Sequence, residues 1–117
     1  MNREELQDRT KQFALRVIKL SNALPNNVTG RTIKNQLIRC GTSVGANYRA
    51  ACRGRSRSEF MARLAVAEEE ADESIFWMEL IIEANLMRKQ LIEPLLTEAD
   101  ELTAILAATI ISTKKTL

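Results

Sequence analysis

Arginines and carboxylates are the residues of this sequence whose types and spacing could do chemistry. The basic cluster comprises Arg49, Arg53, Arg55, Arg57 and Arg63. An acidic run follows it directly, made of Glu68, Glu69, Glu70, Asp72 and Glu73. Guanidinium groups pair well with phosphate oxygens, and hydroxyls of Ser56 and Ser58 could add donors. The cluster therefore predicts a phosphate-binding surface.

The distribution of charge supports a second interpretation. Residues 1–63 hold thirteen Lys or Arg against four Asp or Glu, a net +9, whereas residues 64–117 hold four against eleven, a net −7. Complementary faces of this kind can meet within a subunit or across a ring interface. The pI of 8.7 is modest for a nucleic-acid domain, and no aromatic residue lies among the arginines. Structural pairing, nucleic-acid binding and a solvated face all stay open, with pairing favoured by the residues alone.

The absence of histidine excludes much catalysis. No Ser-His or Cys-His nucleophile pair and no His-ligated zinc is possible. The segment from Gly41 to Gly45 superficially resembles a glycine-rich phosphate loop, but no Lys follows it and no strand precedes it. A carboxylate metal site on Glu69 and its neighbours would need facing carboxylates on other helices, which offer few. We therefore predict no enzymatic activity, no metal, no cofactor and no small-molecule substrate.

No segment predicts a leader or a membrane span. Asn2 to Lys19 alternates charged and apolar residues, and the apolar neighbourhood from Ile75 to Ile82 is interrupted by Glu79. The cytoplasm is the expected compartment. Cys40 and Cys52 are twelve positions apart in one predicted helix, about 18 Å, so they cannot pair with each other. We expect both to be small buried apolar residues.

Three breaks divide the chain into four predicted helices. Pro25, Gly54 and Pro94 mark the turns, with Gly54 suited to a left-handed cap and Ser56 or Ser58 to capping the next helix. Apolar residues recur between them at intervals of three, four or seven, and no β-type alternation occurs. The predicted fold is a single all-α domain over 1–117, an up-down-up-down antiparallel four-helix bundle. Its helices are expected near 3–23, 30–53, 57–88 and 93–114, the third being longest and projecting beyond the bundle.

Two departures from simple amphipathic stripes concern partners and internal contacts. Seven of the eight residues 75–82 are apolar, too many for one face of a helix. A neighbouring copy could cover the excess, so Phe76, Trp77, Leu80 and Ile81 are predicted to form an oligomer interface.

The second helix also carries a line of polar residues. Gln36, Ser43 and Asn47 share the heptad phase of Cys40, with Arg39 alongside. Buried polar groups must find partners, and the acidic run of the third helix supplies them. We predict an internal polar seam composed of Gln36, Arg39, Ser43, Asn47, Glu69 and Glu73. A hydrogen-bonded network fixing helix register is favoured over a polar ligand site.

The segment spanning the second and third predicted helices carries a family resemblance. It contains QLIRCGTSVGAN at 36–47, RSRSEFM at 55–61 and AEEEADE at 67–73, preceded by Leu24-Pro25 and followed by EANL at 83–86. These motifs, in this order over about residues 15–90, resemble the S23 ribosomal protein-like family named for 23S rRNA intervening sequences.

The resemblance implies a small four-helix bundle that assembles as a homopentamer, without attributed enzymatic activity and with a proposed connection to ribosomal RNA. A related accessory protein of retroelements is also pentameric and engages nucleic acid. The family's Arg, Ser and Asn positions fall on Arg39, Ser43 and Asn47. Ala50 and Ala51 replace a common acidic residue, and Glu69-Glu70 a small Gly-Ser pair. The expected function is a pentameric adaptor that binds RNA or a ribonucleoprotein through the basic cluster; the alternative is a protein-only scaffold whose basic and acidic faces close the ring.

Overall fold

Four helices make up the fold, as the apolar spacing predicts. The computed structural model describes residues 1–116, and within them no strand occurs. The helices are α1 (Arg3–Asn22), α2 (Val28–Cys52), α3 (Arg57–Glu83) and α4 (Lys89–Lys115). Together they form an elongated body of 48 × 21 × 19 Å. The all-α four-helix bundle is thus confirmed.

Side chains before the first three helices fix where those helices begin. Asn2 accepts from the Glu5 N–H at 2.8 Å, Asn27 from the Gly30 N–H at 2.8 Å, and Ser56 from the Glu59 N–H at 3.0 Å. Each of these bonds satisfies one of the free donors at a helix start. Ser56, rather than Ser58, therefore caps α3.

The end of α3 differs from the prediction because the stop signal is an asparagine. Asn85 has a left-handed backbone with φ 55, and the Leu86 N–H bonds to the Ile81 carbonyl at 3.0 Å. This is the Schellman arrangement that terminates many helices. It ends α3 at Glu83, not at 88, and gives α3 and α4 the same 27-residue length.

Two other predicted turn signals act differently from expectation. Pro94 lies inside α4 as its sixth residue and not at a turn, so the helix forgoes the backbone bond that an N–H at this position would donate to the Gln90 carbonyl. The helix begins at Lys89 and not at 93. Gly54 has no left-handed backbone.

The helices pack in chain order around one apolar core. α1 lies against α2, α2 against α3 and α3 against α4, while α4 meets α1 more loosely. A Cβ at Gly41 would lie 2.6 Å from a Val17 methyl carbon, so this glycine permits the close approach of α1 and α2. Residues from the starts of α1 and α3 and the ends of α2 and α4 line one cavity. The neighbouring helices are therefore antiparallel, and this end of the bundle carries most of the predicted basic cluster.

Candidate nucleic-acid interface

The α2–α3 pair divides the predicted basic cluster into two groups. One surface depression of about 480 Å³ is lined by Arg49 on the last turn of α2, Arg53 directly after that helix and Arg63 on α3. Arg55 and Arg57 instead line the cavity at the end of the bundle. The name basic patch is used below for Arg49, Arg53 and Arg63. The structure therefore brings together three of the five predicted arginines.

The basic patch has cations with few partners over a floor of small residues. Ala46, Ala50 and Ala62 line the depression between the arginines, and Glu59, which accepts from the Arg55 backbone N–H, also borders it. Arg63 donates to Asn47 Oδ1 at 3.3 Å. Within residues 1–116, no carboxylate lies within ion-pair distance of the three guanidinium groups. Unpaired guanidiniums with free donors are suited to anionic groups of a partner.

The basic patch continues toward α1. Arg49 and Arg53 also line a neighbouring depression that Lys11 and Asp8 border. Lys11 was absent from the prediction, because it lies far from the arginines in sequence. It comes close because α1 and α2 are antiparallel neighbours, a relationship that the helical phase of Lys11 could have indicated.

The second group of arginines is partly committed to structure. Arg57 Nη2 donates to the Thr113 carbonyl and, at 3.0 Å, to Thr116 Oγ1. A cation at this position compensates the free carbonyls at the end of α4. Arg55 is exposed, while its backbone N–H donates to Glu59 Oε2 at 2.7 Å. The Arg57 guanidinium therefore stabilises the end of α4, and the Arg55 side chain is more available to a partner.

Aromatic residues form the wall of the cavity at the end of the bundle. The cavity measures about 600 Å³ and includes Tyr48 and Phe60 in its lining. Arg3 stacks over the Phe60 ring at 4.7 Å from its centroid. Burial raises the pKa of Tyr48 to about 12, which keeps the phenol neutral at ordinary pH.

The polar seam lies on the surface groove between α2 and α3, and is not internal as predicted. Arg39 Nη1 bonds to Glu70 Oε2 at 3.0 Å, its Nη2 pairs with Glu73, and its Nε donates to Gln36 at 3.2 Å. The Arg39 side chain is 49% exposed. Asn47 Nδ2 bonds to Ser43 Oγ at 2.8 Å. These contacts support the register-fixing network and give no enclosed ligand site.

Glu70 takes the place that was predicted for Glu69 in the seam. The buried line of α3 runs through Ala67, Ala71 and Ser74, so position 70 flanks it and position 69 points away. Beneath the seam, Ser74 Oγ donates to Cys40 Sγ at 3.3 Å. Burial raises the pKa of the Cys40 thiol.

The predicted interface residues separate into three environments. Phe76 is 52% exposed, Trp77 and Leu80 are half-buried, and Ile81 is fully buried. Ile81 is therefore a core residue and not an interface residue, because it follows Met78 on the buried side of α3. Trp77 is fixed at the edge of the seam, where its N–H donates to Glu73 at 3.0 Å. Its ring meets Phe76 edge-on, with centroids 5.2 Å apart.

A comparison with known families matches the segment that carries the motifs, together with its flanks, to one family. The model of the 23S rRNA-intervening sequence protein family matches residues 4–108. The chain belongs to this family. The resemblance predicted over residues 15–90 is thus confirmed and extends over nearly the whole chain.

A solved structure of a protein from the S23 ribosomal protein family is similar to this chain. The chain is similar to a protein with unknown function from the S23 ribosomal protein family of Bacteroides thetaiotaomicron, solved at 1.70 Å resolution. The two are 31% identical, and the match covers 94% of this chain and 98% of the other, with a TM-score of 0.86. No curated protein gives a significant match. The family's description names no enzymatic activity.

The described residues of this 23S rRNA-intervening sequence family member include neither a metal-binding cluster nor a membrane-spanning helix. Residues 1–116 contain no group of three or more Cys, Asp or Glu side chains arranged to hold a metal ion. Among the same residues, no helix combines the length and apolarity that a membrane crossing requires.

Proposed function

We propose that this protein is a non-enzymatic, self-assembling adaptor that binds RNA or a ribonucleoprotein through the basic patch. One observation carries the proposal: Arg49, Arg53 and Arg63 surround one depression, and no carboxylate in residues 1–116 pairs with them. Arg9 and Arg39, by contrast, are paired with carboxylates. Free guanidiniums concentrated in this way attract a polyanion.

RNA is the polyanion that we favour, for two reasons. The family's description names 23S rRNA, and Arg55 and Lys11 widen the positive surface on either side of the patch. Arg49 and Arg53 are one helical turn apart, so they can contact adjacent phosphates. No aromatic ring stacks among the three arginines, so contacts to the RNA backbone would dominate over base reading.

Self-association is the second part of the proposal. Phe76 is 52% exposed on α3, and an aromatic side chain on a surface is typical of protein contacts. The family resemblance makes a pentamer the expected ring. Several copies of a weak RNA site in one particle would bind a long RNA more tightly than one copy. The proposed compartment is the cytoplasm.

The experiment is filter binding of a structured RNA hairpin across a salt series. Replacing both Arg49 and Arg53 by Gln should lower the magnitude of the slope of log K against log salt by about 1.5, because about two phosphate contacts are lost. The matched control is Arg31→Gln with Arg88→Gln, an equal charge loss at the opposite end of the bundle. The control should leave the slope unchanged. Wild-type protein without salt-dependent binding would exclude the RNA function.

A protein-only scaffold is the second candidate, and a specific observation favours it. Glu69, Asp72, Glu79 and Glu83 are all exposed and follow one outward line on α3. Such a line could pair with the basic patch of another copy and close the ring. In that case, Arg49→Gln with Arg53→Gln would reduce the particle mass, measured by sedimentation. RNA binding without a mass change supports the adaptor instead.

A further inference from the structure

An open apolar groove lies between α1 and α4, at the end of the bundle opposite the basic patch. Its volume is about 380 Å³, and its lining consists of Arg16, Lys19, Leu20, Ala23, Met87, Leu91, Pro94 and Leu95. The two cations stand beside an otherwise apolar surface. Leu91 is 53% exposed, so a large hydrophobic side chain is left in solvent at the mouth of the groove. The groove coincides with the loosest helix contact of the bundle.

The outer face of α3 has the complementary composition. Phe76 projects from it with half of its surface exposed. Asp72 lies one turn before Phe76 and Glu79 lies one turn after it, and both are exposed. Within residues 1–116, neither carboxylate has an ion-pair partner, and the same is true of Arg16 and Lys19. One surface is thus an aromatic side chain between anions, and the other an apolar groove beside cations.

We infer that Phe76 of one copy inserts into the α1–α4 groove of the next copy, with Asp72 and Glu79 facing Arg16 and Lys19. The inference rests on the self-association proposed above, and adds which surfaces meet and in which direction. A second copy is the occupant because this chain carries both complementary surfaces. Burying Phe76 against the apolar lining removes both exposed hydrophobic surfaces from water.

The heights of the two surfaces along the bundle allow the contact to close into a ring. α1 and α3 end, and α4 begins, at the same end of the bundle. At about 1.5 Å per residue, Phe76 lies about 10 Å from the end of α3, and Pro94 about 8 Å from the start of α4. A head-to-tail contact between surfaces of nearly equal height has little rise per subunit. It therefore favours a closed ring over a filament.

The arrangement leaves the basic patch uncovered. Because Arg16 and Lys19 supply the cations of the contact, the arginines at the other end of the bundle are not needed to close the ring. Every copy would then present its basic patch toward the same side of the particle. The inferred contact thus agrees with an adaptor that binds RNA on one side.

Two variants that each break one side of the contact test the inference. Phe76→Lys removes the aromatic side chain and repels the groove cations, while its own groove stays intact. Leu91→Glu blocks the groove and repels Asp72 and Glu79, while its own Phe76 stays intact. Each variant alone should sediment as a single chain of 13.2 kDa. An equal mixture should give a dimer and nothing larger, since only one intact contact can form.

Controls and contrary outcomes separate this inference from the proposed function. Val28→Glu also places an acid at an exposed apolar site in a first helical turn and should keep the wild-type mass. Circular dichroism verifies that each variant folds. A monomeric wild-type protein would overturn the proposed self-association itself. An oligomeric wild type whose two variants keep its mass, a mixture that stays monomeric, or a Leu91→Glu variant that dimerises alone would overturn only the inferred contact.

Discussion

The polar seam and the basic patch lie on the same pair of helices, but the arginine of the seam is paired with carboxylates and the arginines of the patch are not. In the seam, Arg39 contacts two carboxylates and a glutamine. In the patch, the guanidiniums of Arg49 and Arg53 have no carboxylate partner among residues 1–116. Paired charge fixes how two helices pack, whereas unpaired charge contributes little to folding and is available to a partner. The difference separates residues kept for structure from residues available for function.

The two cysteines give the largest expected difference between these regions. Cys40 lies under the seam and is fully buried, with a raised pKa caused by burial, whereas Cys52 is half-buried at the patch end. A thiol reagent should reach Cys40 only when the bundle opens. We expect Cys52 to react more than about a thousandfold faster, given the usual free energy of global opening.

The measurement is the rate of labelling by an aromatic disulfide at neutral pH. In the Cys52→Ser variant only the slow phase should remain. Labelling rates of the two thiols that differ by less than about tenfold would show that reagent reaches Cys40 without opening of the bundle, and would contradict a tightly closed seam.

Charge reversal at Arg39 should have the next largest effect. Arg39→Glu leaves Glu70 and Glu73 without a cation and adds a third carboxylate between α2 and α3. We expect the free energy of unfolding to fall by about 2 kcal/mol, reduced from a buried-pair value because Arg39 is half-exposed. Urea unfolding measures it.

The matched control for that reversal is Arg49→Glu in the basic patch. It should cost less than about 1 kcal/mol, from an unfavourable charge in the last turn of α2. Equal losses in both variants would remove the distinction between structural and available arginines.

The smallest expected effect concerns alkaline pH at the patch end. Burial raises the pKa of Tyr48 to about 12, whereas the phenol in the unfolded chain titrates near its ordinary pKa of 10.0. The contribution of the neutral Tyr48 phenol to the free energy of unfolding is therefore fully present below pH 10. It is lost as the pH rises from 10 through 12, because in this range the unfolded chain releases the proton and the folded chain retains it. At pH 11 the loss is about 1.4 kcal/mol.

The pH dependence is measured by urea unfolding of wild type and Tyr48→Phe at several pH values. The chain contains one tyrosine, so the difference between the two proteins isolates this group. Parallel curves would show that the phenol is solvated and that the end of the bundle is open.

The fold could be predicted from the sequence because apolar spacing depends only on each helix and its buried face. Leu37 and Val44, seven positions apart on α2, and Leu64 on α3 are fully buried, as the predicted spacing requires. The boundary between α3 and α4 was misplaced because Pro94 was a more conspicuous signal than the left-handed Asn85. Pro94 lies inside α4, so a proline alone does not fix where a helix begins.

The candidate site was less predictable because it depends on which residues face each other. Nothing near Arg55 and Arg57 in the sequence shows that Arg57 bonds to the end of α4, which lies more than fifty residues away. Glu69 and Glu70 have different roles because they are about 100° apart around α3. An error in the predicted phase of the helix therefore exchanges the two residues. Ile81 was placed on the outer face by the same error.

The chain-order packing of the helices has a kinetic consequence. Most contacts join helices that are consecutive in the chain, and the one pairing between the first and last helices is the loosest. Bundles with such low contact order fold within microseconds to milliseconds, because short loops close at little entropic cost. Assembly of the proposed ring from dilute subunits is a bimolecular and slower process. Association of folded subunits, and not their folding, would therefore limit the rate at which the proposed particle forms, and that rate would depend on protein concentration.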